Sequence, residues 1–217
     1  MSNDRKALLV IDVQNDFLPP NGSLAVNGGN EIIQPILSLI EKEDWDMVIM
    51  TQDWHSMDHT SFAQNHENVA DFESVKYNSP VVGDTREQDV VVWPVHCVQN
   101  TKGSEFHTDL KSVLLDRPDI VVLKKGYLKD REYYSAFNDI WNDHKTELND
   151  LLQDNNIKEV YIVGIALDYC VKDTAISASQ LGYKTTVLKD YCRAIDTSQT
   201  AMANLTENFK IHNITLT

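Results

Sequence analysis

The chain of 217 residues lacks what several large protein classes require. Only 19 lysines and arginines stand against 33 aspartates and glutamates, which gives a formal net charge of −14. Nucleic acids and anionic membranes are bound through clustered positive charge, so this balance argues against a general binding surface for either. No apolar stretch approaches the roughly 18 residues of a membrane span. We therefore expect no nucleic-acid partner and no membrane partner.

Cysteine is also scarce, and its pattern excludes a disulfide scaffold. The three cysteines are an odd number and are widely spaced. The first residues, 1–6, are too polar and too few to begin a signal peptide. We expect an intracellular protein, in the cytoplasm or in another reduced compartment such as the nucleus. The first apolar strand is followed by a segment with no glycine-rich phosphate loop, which argues against nucleotide and flavin binding.

What the chain does contain is a regular alternation of strand-like and helix-like segments. This alternation predicts an α/β fold with three layers, in which a mostly parallel central sheet carries helices on both faces. The length suits one domain over 1–217, with a polar, irregular segment around 65–90 predicted as a long loop insertion. The predicted strands are 7–12, 46–51, 119–124, 158–164 and 185–189, and the predicted helices are 30–41, 134–153, 169–181 and 198–208.

A cysteine follows one of these strands. Cys170 stands where the strand at 158–164 leads into a helix, and the first turn of a helix has unpaired backbone N–H groups and the positive end of the dipole. A thiolate would be stabilised there and the pKa of the thiol would fall, which makes Cys170 a candidate nucleophile. On position alone, a buried cysteine that packs as a small apolar residue is the commoner case.

An acid and an amine follow two other strands. Asp12 comes after the apolar run 7–11, and Lys125 comes after the run 119–123. Ligands of open parallel sheets bind outside the carboxyl ends of the strands, so an acid, an amine and a thiol can meet there. Asp12 could then act as general base for Cys170, and Lys125 could stabilise both anions. Each residue alone has an ordinary structural explanation, because such an aspartate often caps a turn and a lysine is usually solvated.

A second group of residues suggests a metal site. Asp53 and His55 follow the strand at 46–51 with a spacing that puts both side chains on one side of an extended chain. His96 could supply a third ligand, since carboxylate and imidazole suit zinc and similar divalent ions. His59 could be a further ligand or support one. An aspartate and a histidine two residues apart are a loose motif, and a solvated surface turn is the alternative.

Taken in order, these motifs resemble a known family. The matching segments are Leu9-Val-Ile-Asp12-Val-Gln14-Asn-Asp16-Phe17, Asp53-Trp-His55, Trp93-Pro-Val-His96-Cys97, Lys125-Gly126 and Gly164-Ile-Ala-Leu-Asp-Tyr-Cys170. Together they resemble the isochorismatase-like cysteine hydrolases, and within them the enzymes that deamidate nicotinamide. The resemblance extends from Ala7 to about Asp190 and includes the stretch from Lys125 to Phe137.

The resemblance implies a hydrolase acting on the linear amide C–N bond of nicotinamide through a cysteine thioester, in NAD salvage. It implies catalytic Asp12, Lys125 and Cys170, and one divalent metal ion, zinc, held by Asp53, His55 and His96. It also implies a cis peptide between Ile165 and Ala166, an oxyanion hole from the amides of Ala166 and Cys170, and contacts of the substrate ring with Phe17, Trp93, Ile165 and Tyr169. A homo-oligomer is left open.

Three alternatives remain at this point. An isochorismatase-type relative would share the fold, but it works without the cysteine and without this metal set. Another cysteine amidohydrolase could act on a different small amide or ureido compound, although such relatives generally lack the metal motif. A non-catalytic metal-binding or redox-sensing module would leave Asp12 and Lys125 unexplained.

Overall fold

The computed structural model describes residues 4–217, so the first half of the polar segment 1–6 lies outside the described residues. The elements in chain order are β1 (Arg5–Ile11), α1 (Ile33–Lys42), β2 (Met47–Asp53), β3 (Ser74–Asn78), β4 (Glu87–Val91), α2 (Thr108–Asp116), β5 (Val121–Lys125), α3 (Leu148–Asp154), β6 (Ile157–Ile165), α4 (Lys172–Gln180), β7 (Lys184–Arg193), α5 (Gln199–Ile211) and β8 (Thr215–Leu216).

Six of these strands form the central sheet, in the order β5-β2-β1-β6-β7-β8. Every neighbouring pair in this sheet is parallel. The predicted α/β class with a mostly parallel sheet is therefore confirmed. β1 lies in the middle, and the chain leaves it towards β2 on one side and returns to β6 on the other. Crevices that bind ligands form at such a reversal, outside the carboxyl ends of the strands.

The central strand explains why the sheet is covered on both faces. Residues 7–11 of β1 are fully buried and alternate between two cores, because successive side chains in a strand point to opposite faces. Ala7, Leu9 and Ile11 pack with apolar residues of α3, α4 and α5, whereas Leu8 and Val10 pack with those of α1 and α2. The sheet is therefore the middle layer of three.

The predicted helix over 134–153 is wrong for most of its length, since only α3, at its end, is helical. Polar side chains in the preceding segment form hydrogen bonds with its backbone groups, and these bonds compete with helical hydrogen bonds. The carboxylate of Asp139 accepts from the backbone N–H groups of Asp143 and His144. Thr146 Oγ1 donates to the carbonyl of Ala136, and Asn142 has a φ of 60°.

Two further elements differ from the sequence prediction. The segment 65–90, expected to be a long loop, contains an antiparallel hairpin in which β3 pairs with β4. Helix α2 was not predicted. It is short and buries only Leu110 fully, so its sequence shows little apolar periodicity. Among the described residues, no helix is long and apolar enough to cross a membrane.

Candidate active site

The ammonium of Lys125 joins three strand ends at the carboxyl edge of the sheet. Lys125 Nζ lies 3.0 Å from Asp12 Oδ2 and 2.5 Å from Asp53 Oδ1, and it donates to Cys170 Sγ over 3.5 Å and to the carbonyl of Tyr133 over 3.0 Å. Register explains the first contacts, because Lys125 is the Cα partner of Asp53 across β2 and β5. Lys125 and Asp12 are fully buried, so these charges interact away from solvent.

Asp12 is held by the neighbouring strand β2. Thr51 Oγ1 donates to Asp12 Oδ1 over 2.6 Å, and the Asp12 backbone N–H donates to the same hydroxyl oxygen over 3.1 Å. Burial raises the pKa of Asp12, although Lys125 opposes this shift. Burial disfavours the charged form of Lys125, but Asp12 and Asp53 outweigh it and keep the Lys125 pKa well above its usual range. The site therefore has a carboxyl group that can accept a proton beside a permanent cation.

Cys170 lies in a π-helical turn, Leu167–Val171, that connects β6 to α4. The thiol is 8% exposed and faces the cavity described below. Its pKa is raised well above the usual range, because burial outweighs the cation of Lys125 and because Asp12 and Asp53 are close. The expectation that the helix start would lower this pKa is therefore wrong. The resting group is a thiol that needs a base, and a carboxylate oxygen of Asp12 lies within 4.8 Å of its sulfur.

Asp53, His55 and His96 form a second cluster on the same edge. One ligand atom from each lies within 4.8 Å of the others, and all three residues are buried. The imidazoles are oriented from behind, because His55 Nδ1 is 2.8 Å from the carbonyl of Gly126 and His96 Nδ1 is 2.7 Å from the carbonyl of Pro94. A carbonyl can only accept, so each Nδ1 carries a proton, and in the neutral ring Nε2 keeps a lone pair.

The remaining atoms of this cluster fit a divalent cation. His55 Nε2 is buried with no hydrogen-bond partner among the described residues. Burial and the nearby His55 lower the pKa of His96 to about 4, which keeps that ring neutral and able to bind a metal. Two imidazole nitrogens and a carboxylate oxygen form a ligand set that suits zinc with open positions.

Backbone pairing brings the two histidines together. The backbone N–H of His55 donates to the carbonyl of Cys97 over 3.1 Å, and the N–H of Gln99 donates to the carbonyl of His55 over 2.8 Å. The segment with His96 thus runs beside the end of β2. Gly126 is required behind His55, since its φ is +69° and a Cβ there would lie 2.5 Å from His55 Cε1.

His59 lies against His55 but outside the ligand group. The two rings are 4.2 Å apart, and the Nδ1 of His59 accepts from the backbone N–H of Ser61 over 3.1 Å. That bond leaves the proton of a neutral ring on Nε2, which removes the lone pair that a metal ligand needs. His59 is therefore a packing partner of His55 in this arrangement.

The two clusters open into one small cavity. Phe17, Trp93, Tyr169, Ala166 and Cys170, all predicted for the site, line it. The lining residues that the sequence interpretation did not assign to the site are Leu24, Ser61, Glu132, Tyr134 and Ile195. Tyr134 and Glu132 lie in the stretch that carried the resemblance, whereas no sequence signal marked Leu24 or Ile195.

The aromatic side chains form one wall of this cavity. The rings of Trp93 and Tyr169 meet edge to face with centroids 4.8 Å apart, and Tyr134 lies 5.5 Å from Tyr169. Trp93 Nε1 donates to the hydroxyl oxygen of Tyr134 over 3.3 Å. Phe17 lies 5.5 Å from the ring of His96. Such a wall suits a flat, apolar ring.

Glu132 is the lining residue whose chemistry sequence reasoning missed. It is 2% exposed, and its Oε1 accepts from the backbone N–H of Tyr133 over 2.8 Å. Its Oε2 is buried with no hydrogen-bond partner among the described residues, and burial raises its pKa. The acid therefore lines the same cavity as Asp53 and His96 and has one buried oxygen without a partner among the described residues.

Ile165 does not line the cavity with the other residues predicted to contact the substrate ring. It is 1% exposed and packs in the core beside α1. The peptide bond between Ile165 and Ala166 is cis. The carbonyl of Ala166 accepts from the N–H groups of Tyr169 and Val171, both over 3.1 Å, which closes the turn around Cys170.

Several known proteins are similar to this chain in sequence and fold. The isochorismatase domain model matches residues 6–213. Nicotinamidase from Saccharomyces cerevisiae is 48% identical over 96% of this chain and 97% of its own length, and nicotinamidase from Escherichia coli is 39% identical over 88% and 84%. The crystal structure of the yeast nicotinamidase bound to the inhibitor nicotinaldehyde superimposes with a TM-score of 0.95 at 47% identity, covering 97% of this chain and 98% of that one. A zinc complex of Pyrococcus horikoshii pyrazinamidase gives a TM-score of 0.73 at 31% identity, with 98% of both chains covered.

Proposed function

The chain belongs to the isochorismatase family, and from this membership we propose how its buried thiol hydrolyses an amide. The protein is a nicotinamidase, a hydrolase that acts on the amide bond of nicotinamide, and a role in NAD salvage is consistent with that activity. One observation carries the proposal for the residues that do the chemistry. Lys125 Nζ lies within 3.5 Å of Cys170 Sγ, Asp12 Oδ2 and Asp53 Oδ1 at once.

We propose Cys170 as the nucleophile and Asp12 as the general base. Asp12 accepts the thiol proton as Sγ forms a bond to the carboxamide carbon. Collapse of the tetrahedral intermediate breaks the C–N bond, and Asp12 returns the proton to the departing ammonia. A water molecule that gives its proton to Asp12 then attacks the thioester carbon. The C–S bond breaks, nicotinate is released, and the proton returns to the Cys170 sulfur.

Lys125 keeps the charges of the site in balance. Before attack it pairs with the carboxylate of Asp12, and during attack it also faces the developing negative charge on the sulfur, 3.5 Å away. In a buried site this preorganised cation stabilises charge more than it would in water. We assign the oxyanion hole to the backbone N–H groups of Ala166, just before the turn that carries the thiol, and of Cys170, within it.

We propose that Asp53, His55 and His96 hold a zinc ion. When bound, a divalent ion would act as a Lewis acid towards a ring nitrogen of the substrate, which orients the ring. Asp53 also pairs with Lys125, so one carboxylate links the two clusters. Phe17, Trp93 and Tyr169 are proposed to contact the ring, whereas the position of Ile165 favours a supporting role in the core beneath the cavity.

The domain extent, the compartment and the oligomeric state remain proposals. We treat 1–217 as a single cysteine hydrolase domain with its insertion at 65–90. From the odd number and wide spacing of the three cysteines, we propose a reduced compartment, the cytoplasm or one such as the nucleus. A homo-oligomer stays open.

The test is ammonia release from nicotinamide by the purified, metal-loaded protein, beside Cys170→Ala. We expect turnover by the parent and its loss in the variant. In the parent, mass spectrometry after rapid quenching should detect a covalent acyl adduct on Cys170. Release of ammonia by the variant at the parent rate would refute the assignment of the nucleophile. Turnover of a ureido compound without turnover of nicotinamide would instead indicate a different amidohydrolase.

A further inference from the structure

The turn that carries Cys170 is tied to a distant loop by one carboxylate. Asp168 lies two residues before Cys170, and its Oδ1 accepts from the backbone N–H of Ile195 over 3.0 Å. Its Oδ2 accepts from the backbone N–H of Asp196 over 2.8 Å. The loop, residues 194–197, connects β7 to α5. Hydrogen bonds to a charged acceptor are about twice as strong as neutral ones, and two of them together fix orientation as well as distance.

This loop bears on the substrate because Ile195 lines the cavity. Its side chain is 36% exposed, so it lies at the rim and not in the core. The same cavity is lined by Tyr169 and Cys170, the two residues that follow Asp168 in the turn. Asp168 therefore joins the segment that supplies the thiol and one wall to the segment that supplies the rim.

The far end of the loop has its own anchor. Asp196 Oδ1 accepts from the backbone N–H of Ser198 over 2.8 Å, and Ser198 Oγ accepts from that of Ala201 over 3.2 Å as the cap of α5. Removing the carboxylate of Asp168 would thus release the rim while leaving α5 capped. This separation makes the role of Asp168 testable in a folded protein.

We propose that Asp168 is a positioning residue that sets the size limit of the substrate ring by holding Ile195 at the rim of the cavity. This inference rests on the proposed nicotinamidase activity. With the loop held, the cavity takes a small, unsubstituted heteroaromatic amide. With the loop released, the cavity admits rings that carry an extra methyl group on the side facing Ile195.

The experiment compares Asp168→Asn, Ile195→Ala and the double variant, using the metal-loaded protein. An asparagine has one acceptor oxygen, so at least one backbone N–H loses its partner and faces an amide donor. The readout is the ratio of kcat/KM for nicotinamide to kcat/KM for each of its ring-methylated derivatives. We expect this ratio to fall about 10-fold for at least one derivative in each single variant, the discrimination that one methyl group supplies in an apolar pocket.

The double variant distinguishes positioning from a general defect. If Asp168 acts through Ile195, the double variant shows the ratio of Ile195→Ala with no further fall, since the two changes remove the same constraint. We also expect a higher KM for nicotinamide in Asp168→Asn with kcat within about threefold of the parent. Ratios that multiply in the double variant, or a ratio unchanged in Asp168→Asn, would overturn the proposal.

The matched control is Asp190→Asn, since Asp190 is an exposed acid near the end of β7. We expect it to leave the ratio unchanged. Hydrogen exchange supplies a readout that does not depend on turnover: the amides of Ile195 and Asp196 should exchange faster in Asp168→Asn and at the parent rate in Asp190→Asn. If the parent fails to hydrolyse nicotinamide, the proposed function fails, while unchanged exchange in Asp168→Asn would overturn the role of Asp168 separately.

Discussion

Two thiols lie at the carboxyl ends of neighbouring parallel strands, yet their surroundings differ. Cys192, near the end of β7, is the Cα partner of Gly164 in β6, and Cys170 follows β6 by a few residues. Both are buried. Cys192 Sγ donates to the carbonyl of Leu188 over 3.3 Å, and burial raises its pKa to about 12. Cys170 instead faces the cavity and contacts Lys125.

The difference shows that position at a strand end does not make a thiol reactive. Burial raises the pKa of both, so neither is a thiolate in the resting protein. Cys170 has a cation at 3.5 Å and, within 4.8 Å of its sulfur, a carboxylate oxygen of Asp12 that can take its proton. Cys192 has a single carbonyl acceptor for its S–H group. The reactivity that we propose for Cys170 therefore depends on Lys125 and Asp12 beside it, and not on the position of the thiol alone.

The largest effect should come from removing one thiol or the other. Cys170→Ala should lower kcat for nicotinamide by at least about 10⁴-fold, because no other group can form the thioester. Cys192→Ala should leave kcat within about twofold. Steady-state ammonia release measures both. Comparable losses in the two variants would contradict the proposal that Cys170 is the reactive thiol and Cys192 is not.

The second-largest effect should come from removing the base near Cys170, which leaves this thiol without a carboxylate to take its proton, like Cys192. Asp12→Asn keeps the shape of the side chain but removes the base, so kcat should fall about 10²–10⁴-fold. The variant still contains Cys170, so a pre-steady-state assay should show slow thioester formation. A parent-like rate of thioester formation would mean that another group takes the thiol proton.

Removal of the metal should lower catalysis at Cys170 and leave Cys192 unaffected. Dialysis against a chelator, or His96→Ala, should lower kcat/KM about 100-fold through loss of ring orientation, and a divalent ion should restore the dialysed sample. His212→Ala, on the surface end of α5, is the control. Metal content is measured in parallel, and full activity in a sample shown to be metal-free would contradict the role of this cluster.

The smallest effect concerns stability. Cys192→Ala removes a packed sulfur from the core beside α5 and should lower the free energy of unfolding by about 1 kcal/mol. Urea denaturation checks this value. A loss of activity in this variant without a loss of stability would show that Cys192 influences the site.

Much of the site follows from a simple pattern in the chain. Asp12, Asp53, Lys125 and Cys170 each come at or just after the end of a predicted strand, and parallel strands end at one edge, so their meeting was foreseeable. The irregular structure in place of the helix predicted over 134–153 was not foreseeable from apolar spacing, because it depends on side chains of Asp139 and Thr146 that bind backbone groups four and ten residues away. Glu132 was missed because it follows no strand end. Ile195 was missed because the strand predicted to end at residue 189 continues to Arg193.

The amino-acid sequence by itself determined which chemical groups reach the carboxyl edge of the sheet, since strand periodicity and the residues that follow each strand are local properties. Tertiary structure decided how these groups are paired. The strand order puts β5 beside β2 and β6 beside β1, which brings Lys125 between Asp12 and Asp53 and within reach of Cys170. It also decided that burial raises the pKa of Cys170 and that Asp168 holds Ile195 from 27 residues away, because desolvation and long-range hydrogen bonds arise only when distant segments pack together.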